Sequence, residues 1–300
     1  MRIASSVLVI ALLLLAVPAR AADSTDIADP TSAPAAHPKL DPSLPTLFLI
    51  GDSTVKNGHD NGAGNMYGWG NPIAIYFDQT KINVQNRALG GRSSRSYYTE
   101  GLWDKVLADI KPGDFVLMQF GHNDGGAVDK PIAPGRPSRA SIHGSSEDTK
   151  DVTDEKTGKT ETVHTFGWYM RKYATDAKAK GATPIICSLI PRNDWKDGKV
   201  NRATTSYAGW AADAAKQAGC AFIDLNAITA DEYDAQGQQK VAGYFPNEHT
   251  HTNMAGADIN ARSVVAGIKA LKDCELNKYL SSSAAEIKPA PADEVASNGK

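Results

Sequence analysis

Ser53, Gly91, Asn123, Glu248 and His251 are the residues of this 300-residue chain whose types together suit acyl transfer. A serine hydroxyl is a weak nucleophile until a base takes its proton, and an imidazole base works best when a carboxylate orients it. The oxygen of the attacked carbonyl then gains negative charge, which calls for hydrogen-bond donors fixed in advance. The backbone N–H groups of Ser53 and Gly91 and the side-chain amide of Asn123 offer three. Gly91 has no side chain to keep its backbone away from that oxygen. Spacing selects the base. Glu248 and His249 are adjacent, so their side chains tend to point apart. Glu248 and His251 are three apart, so one turn brings the carboxylate alongside Nδ1 and leaves Nε2 for Ser53. His251 is therefore the expected base, and His249 a structural or substrate-edge residue.

Each stretch has an ordinary reading when taken alone. Gly51-Asp52-Ser53-Thr54 suits a turn with a helix cap, and Gly121-His122-Asn123-Asp124 a polar turn after a strand. His249-Thr250-His251 is half a metal site without the other half. Their conjunction carries the acyl-transfer reading, because four unrelated turns rarely supply four complementary parts. Other chemistries lack their signatures. There is no G-x-S-x-G elbow and no G-x-G-x-x-G after a strand, and Gly158-Lys159-Thr160 has Thr153 where a phosphate loop needs glycine.

The elements that must position these residues follow from periodicity. Short apolar runs, Leu47–Ile50, Phe115–Phe120, Pro184–Ile190 and Ala221–Leu225, with a weaker one at Ile82–Asn86, read as strands. Helix-period segments near 69–78, 100–110, 166–180, 203–218 and 254–272 lie between and after them, and Gly181 and Gly219 suit helix C-caps. Alternation of this kind implies a parallel sheet with helices on both faces, whose ligand site lies beyond the carboxyl ends of the strands. Ser53, Gly91 and Asn123 each follow a strand at that edge, and His251 stands just ahead of the last helix. The polar stretch from Gly125 to Thr165 also begins there. It reads as a wall of the cleft with a small hairpin about Thr157-Gly158-Lys159.

Residues 1–21 read as a secretory signal: Arg2, an apolar run from Val7 to Val17, and Ala19-Arg20-Ala21. The expected chain is exported, periplasmic or secreted. Without Arg2 and Arg20 the balance is 30 basic against 34 acidic residues, a net charge of −4 that gives nucleic acid or an anionic membrane no footprint. Prolines 30, 34, 38, 42 and 45 mark residues 22–45 as a flexible linker, and residues 281–300 read as a disordered tail. One domain, 46–280, remains. Cys187, Cys220 and Cys274 are too few for a disulfide scaffold; one bridge with a spare thiol, or three buried thiols, both fit.

The four blocks, in this order, resemble the SGNH (GDSL-type) hydrolase superfamily, with Ser53, Gly91, Asn123 and His251 at the naming positions. Gly91-Arg-Ser-Ser-Arg-Ser-Tyr97, Phe120-Gly-His-Asn-Asp-Gly-Gly126 and Tyr244-Phe-Pro with His249-Thr-His-Thr look closer still to rhamnogalacturonan acetylesterases and their pectin-acetylesterase relatives. The resemblance covers about residues 46–273. It implies a three-layer α/β/α, flavodoxin-like fold with a five-stranded parallel sheet ordered 2-1-3-4-5. It further implies removal of acetyl groups from acetylated plant cell-wall polysaccharide, without metal or cofactor, by a chain expected to be a monomer. One departure stands out: the family pattern has Asp three residues before the histidine, and this chain has Glu248, a methylene longer. Arg92, Tyr97, Arg192, Trp195 and His249 are the expected sugar contacts, a planar guanidinium suiting a uronate carboxylate and an indole a sugar face. The alternatives are another carbohydrate acetylesterase such as one for acetylxylan, a lysophospholipase or thioesterase, and a non-catalytic carbohydrate-binding module.

Overall fold

The computed structural model describes residues 41–56, 62–133, 136–153 and 157–297. The predicted signal at 1–21 and most of the predicted linker at 22–45 lie outside the described residues. In chain order the elements are β1 (Thr46–Gly51), β2 (Asn83–Asn86), α1 (Ser94–Thr99), α2 (Leu102–Asp109), β3 (Phe115–Gln119), β4 (Thr149–Thr153), β5 (Thr160–His164), α3 (Phe166–Ala179) and β6 (Thr183–Cys187). A two-residue ribbon follows, β7 (Trp195–Lys196) with β8 (Lys199–Val200), then α4 (Tyr207–Ala218), β9 (Ala221–Ile223), α5 (Leu225–Gln236), α6 (Gln238–Ala242), α7 (Met254–Ala270) and β10 (Val295–Ala296).

The central sheet runs β10-β9-β6-β3-β1-β2. Its five parallel strands have the expected 2-1-3-4-5 order, and β10 adds a sixth, antiparallel strand at the β9 edge. All six residues of β1 are buried, as a strand covered on both faces requires. Its side chains alternate between two cores. Leu47 and Leu49 join Leu117, Ile185, Ile223 and Val264 of α7 on one face. Phe48 and Ile50 join Met118, Ile186, Trp103 of α2 and Tyr173 of α3 on the other. The hairpin predicted about Gly158 forms, with Thr153 opposite Thr160. Helix starts follow cap chemistry: Thr165 accepts from Trp168 N–H at α3, and Asn253 from Gly256 N–H at α7. Gly219, at φ 60°, ends α4 as expected. The helical segment near 69–78 is only a 3-10 turn, Pro72–Tyr76, and α5 lies where a loop was expected.

Two boundaries differ from the sequence reading. The body begins by residue 41, because the Asn83 amide clamps both backbone groups of Asp41 at 2.9 and 3.0 Å and Lys111 Nζ holds the Leu44 carbonyl at 2.8 Å. Residues 281–297, expected as a disordered tail, are packed: Ala284, Ile287 and Ala290 are buried, and Lys269 Nζ binds the carbonyls of Ala284 and Ile287 at 2.6 and 2.7 Å. The segment crosses α7 and ends as β10 against Ile223 and Phe222, covering an edge that would otherwise present free backbone groups. Ending the chain at Leu280 is therefore expected to lower the unfolding free energy by roughly 4 kcal/mol, the scale of exposing one buried isoleucine and its small neighbours. An unchanged urea midpoint would show the segment to be dispensable.

The three cysteines are free. Burial pushes the Cys220 thiol up to about 11 and that of Cys187 higher, which leaves both as inert packing groups.

Candidate active site

The turn after β1 is built by Asp52. Its buried Oδ1 accepts from Thr54 N–H at 2.8 Å and Thr54 O–H at 2.7 Å, and its carbonyl accepts from Val55 and Lys56 N–H. Thr54 Oγ1 in turn accepts from Gln119 Nε2 at 2.6 Å, and Gln119 Oε1 from Trp69 Nε1 at 2.8 Å. The serine turn is thus bolted to β3 by buried hydrogen bonds. Gly51 has to be glycine here, since a Cβ would stand 2.5 Å from the Gln119 carbonyl oxygen.

Ser53 Oγ lies 2.7 Å from His251 Nε2, and His251 Nδ1 lies 2.7 Å from Glu248 Oε1. The extra methylene of glutamate is absorbed by backbone donors: His251 N–H reaches Oε1 at 2.6 Å and Thr250 N–H reaches Oε2 at 2.8 Å, folding the carboxylate back towards Nδ1. Partial burial pushes the Glu248 carboxyl up, but the bonds from His251 and Thr250 outweigh it and bring its pKa to about 2. Glu248 is therefore an anion at any working pH, and an anion beside Nδ1 holds a proton there and turns the Nε2 lone pair towards Ser53.

Gly90 packs against the serine, where a Cβ on it would meet the Ser53 Cβ at 3.6 Å, and Gly91 follows it in the chain. Gly91 has φ +74°, the left-handed region that favours glycine. Its carbonyl accepts from Arg139 at 2.9 Å, while Asn123 Nδ2 donates to the Arg92 carbonyl at 3.0 Å. The second amide hydrogen of Asn123 and the N–H groups of Ser53 and Gly91 make no bond to the described residues, which suits three donors awaiting an oxyanion. Asp124 secures this corner by accepting from the Ser94 N–H and hydroxyl and the Ser141 hydroxyl. Burial raises its carboxyl to about 6 against those bonds.

The expected sugar contacts fare unequally. Tyr97 is corrected: it is 1% exposed, its hydroxyl donates to the Arg87 carbonyl at 2.7 Å, and its ring packs on Phe120 and Tyr173. The Ser93 cap starts α1 and turns this side of the helix into the core, so Tyr97 does not face the cleft. Arg92 spends its guanidinium on Glu100 at 2.9 Å and the Gly90 carbonyl at 3.1 Å. The Trp195 indole donates to Asn193 Oδ1 and packs beside Val200 and Phe245. His249 Nδ1 is 2.8 Å from Asp194 Oδ1, tying the histidine loop to the loop after β6. Arg192 lines a cavity next to His122.

Several residues that shape the site carried no sequence signal. Arg95 is buried and grips Glu161 with both arms at 2.7 and 2.8 Å, while Nη1 holds the carbonyls of Val128 and Ala140. That clasp fixes the 125–165 insertion beside the glycine turn. Arg139 props the turn through Gly91. Among the described residues no group of three or more His, Cys, Asp or Glu side chains is gathered as a metal-ligand set.

A family model described as the GDSL-like Lipase/Acylhydrolase family matches residues 49–259. The chain is 35% identical over 232 residues to a rhamnogalacturonan acetylesterase of Emericella nidulans, spanning 76% of this chain and 88% of that protein. It is 29% identical over 230 residues to a probable rhamnogalacturonan acetylesterase of Bacillus subtilis, spanning 75% of this chain and 93% of the other. Among solved structures it is similar to the YXIM protein of Bacillus subtilis, with 26% identity and a TM-score of 0.60 over 76% of this chain and 56% of that one.

Proposed function

The chain belongs to the GDSL-like lipase/acylhydrolase family and is a carboxylic ester hydrolase; from that premise we propose that it removes O-acetyl groups from pectic polysaccharide through a Ser53–His251–Glu248 triad. The observation that carries this reading is the unbroken chain of contacts from Ser53 Oγ to His251 Nε2 and from Nδ1 to Glu248, each 2.7 Å long. Carbohydrate as the substrate class is supported by the acetylesterase relatives and by a cleft wall, 125–165, rich in polar residues.

In the proposed reaction His251 Nε2 takes the Ser53 proton as Oγ attacks the acetyl carbonyl. The tetrahedral oxyanion is held by the N–H groups of Ser53 and Gly91 and by Asn123 Nδ2. Collapse breaks the bond to the sugar oxygen, which leaves with the proton from Nε2. Water then gives a proton to the same nitrogen and attacks the acetyl-enzyme; acetate departs, and Ser53 recovers its proton. Glu248 keeps its charge throughout and stabilises the imidazolium formed twice per cycle.

Acetate release from acetylated rhamnogalacturonan, acetylated homogalacturonan and acetylxylan tests the reading, beside p-nitrophenyl esters of rising chain length. The expected outcome is fastest release from a pectic substrate and a preference for acetate over octanoate. Faster turnover of octanoate would sink the acetylesterase assignment, and a preference for xylan would remove only the pectic part.

A further inference from the structure

Three consecutive carbonyls of the glycine turn, those of Gly90, Gly91 and Arg92, each accept a hydrogen bond from a side chain. The Gly90 carbonyl accepts from Arg92 Nη1 at 3.1 Å, the Gly91 carbonyl from Arg139 Nη1 at 2.9 Å, and the Arg92 carbonyl from Asn123 Nδ2 at 3.0 Å. The turn lies outside the helices and the sheet, so these bonds do for it what a ladder does for a strand. The Asn123 bond comes from the donor set already described. The other two come from guanidiniums, and a hydrogen bond from an ionised donor is roughly twice as strong as a neutral one.

Their placement singles out Gly91. Its N–H shares a peptide with the Gly90 carbonyl, and a hydrogen bond at the oxygen end of a peptide makes the N–H at the other end a better donor. Arg92 therefore pulls on the group that offers this hydrogen to the oxyanion. Arg139 grips the next peptide, and the two bonds together hold the dihedrals of Gly91, whose φ of +74° no helix or strand enforces. Both guanidiniums are themselves held in place. Arg92 is paired with Glu100 through Nε and Nη2, each at 2.9 Å, which leaves Nη1 for the Gly90 carbonyl. The Arg139 backbone carbonyl accepts the Ser93 hydroxyl, and Ser141, two residues on, bonds Asp124 through both its N–H and its hydroxyl. Residues 139–141 thus span the two turns that carry the donors, Gly91 on one side and Asn123 on the other. Arg139 makes no hydrogen bond or ion pair with a described carboxylate; Asp52 and Asp124 act on it only through space. A fixed cation so placed favours negative charge gained on an oxygen nearby.

Resting on the triad reading, we infer that Arg92 and Arg139 are positioning residues for the oxyanion: two guanidiniums that hold the peptides on either side of Gly91 and strengthen its N–H as a donor. Arg92 thereby has a task other than the sugar contact expected from the sequence. Both residues act through the Gly91 peptides, so their effect does not depend on what the acetyl group is attached to.

The test therefore uses p-nitrophenyl acetate, which carries neither sugar nor charge, beside an acetylated pectic oligosaccharide. Arg139→Gln and Arg92→Gln are each expected to lower kcat about 10- to 100-fold on both substrates with KM little changed, less than deletion of a direct oxyanion donor costs. Arg139→Lys keeps the charge without the planar fork and should recover part of the loss. Methylboronic acid gives a second readout: Ser53 Oγ bonds the boron, its proton passes to His251, and a tetrahedral anion results. Its Ki should rise in step with the fall in kcat/KM. A loss confined to the oligosaccharide would make the arginines sugar contacts and overturn the inference, as would native kcat on p-nitrophenyl acetate in both glutamine variants. A loss in Arg139→Gln that lysine does not relieve, with the Ki of methylboronic acid unchanged, would reduce the arginine to a scaffold and overturn it too. Where Arg139→Gln fails to fold, Arg92→Gln and Arg139→Lys put the same question. Undiminished p-nitrophenyl acetate turnover by Ser53→Ala would instead overturn the triad reading, and this inference with it.

Discussion

Replacing Ser53 by alanine is expected to lower kcat for acetate release by at least 10³-fold, and by up to about 10⁶-fold if the triad acts as one unit. The change removes a single oxygen, whose hydrogen bond in the structure is to His251 Nε2. The turn that holds it is built by hydrogen bonds among Asp52, Thr54 and Gln119, which do not use the serine hydroxyl. Thermal stability and KM for the polymer should therefore stay close to those of the native chain, which separates loss of the nucleophile from loss of the fold. Some turnover above the solvent rate should survive, because the donors at Gly91 and Asn123 can still polarise a bound acetyl carbonyl for attack by water. His251→Ala should be about equally damaging, and combining the two should cost little more, since neither residue has a task without the other. Undiminished acetate release by Ser53→Ala would remove the serine from the mechanism.

How much of the fold and the site is legible in the sequence depends on the period of each burial pattern. β1 and β3 are buried on both faces, so they stand out as short apolar runs, and Ser53 and Asn123 come within a few residues of their ends. α5 escapes because its buried face includes Asn226 and Thr229, whose polarity blurs the helical repeat; Asn226 is buried there because it donates to the Leu189 carbonyl at 3.0 Å. The 281–297 segment escapes for a different reason. Ala284, Ile287 and Ala290 recur every third residue, matching neither a strand nor an α-helix, among serines and prolines that read as solvated. Tyr97 sits in a stretch adjoining the glycine turn, but proximity in sequence to Gly91 says nothing about which side of α1 it occupies. Glu248 and His251 are legible because three residues of chain nearly fix their relation. His122, Arg192 and Tyr207 come from three separate parts of the chain, and only folding shows that they line one cavity.

Glu248→Gln is expected to lower kcat by about 10³- to 10⁴-fold with little change in KM, although it alters neither the length nor the shape of the side chain. The carboxylate accepts three hydrogen bonds, from His251 Nδ1, His251 N–H and Thr250 N–H. A carboxamide has one acceptor oxygen and one donor nitrogen. Keeping the oxygen on the Nδ1 side sets its NH₂ against the Thr250 N–H; flipping it turns the NH₂ towards the imidazole, which then places its own proton on Nε2, where Ser53 needs a lone pair. Either outcome also removes the negative charge that stabilises the imidazolium, so the acid limb of the kcat profile should move to lower pH in this variant. That limb cannot arise from Glu248 in the native chain, because with a pKa of about 2 its carboxyl stays ionised well below the range in which such an enzyme is assayed. Glu248→Asp keeps the charge and shortens the reach. The His251 and Thr250 amides would still collect the carboxylate, but further back from Nδ1, and about a tenfold loss is expected, the equivalent of roughly 1.4 kcal/mol of weakened charge-assisted bonding. Activity in Glu248→Gln within tenfold of the native chain would mean that the backbone turn alone orients the imidazole, and that the carboxylate serves the fold of the loop more than the chemistry.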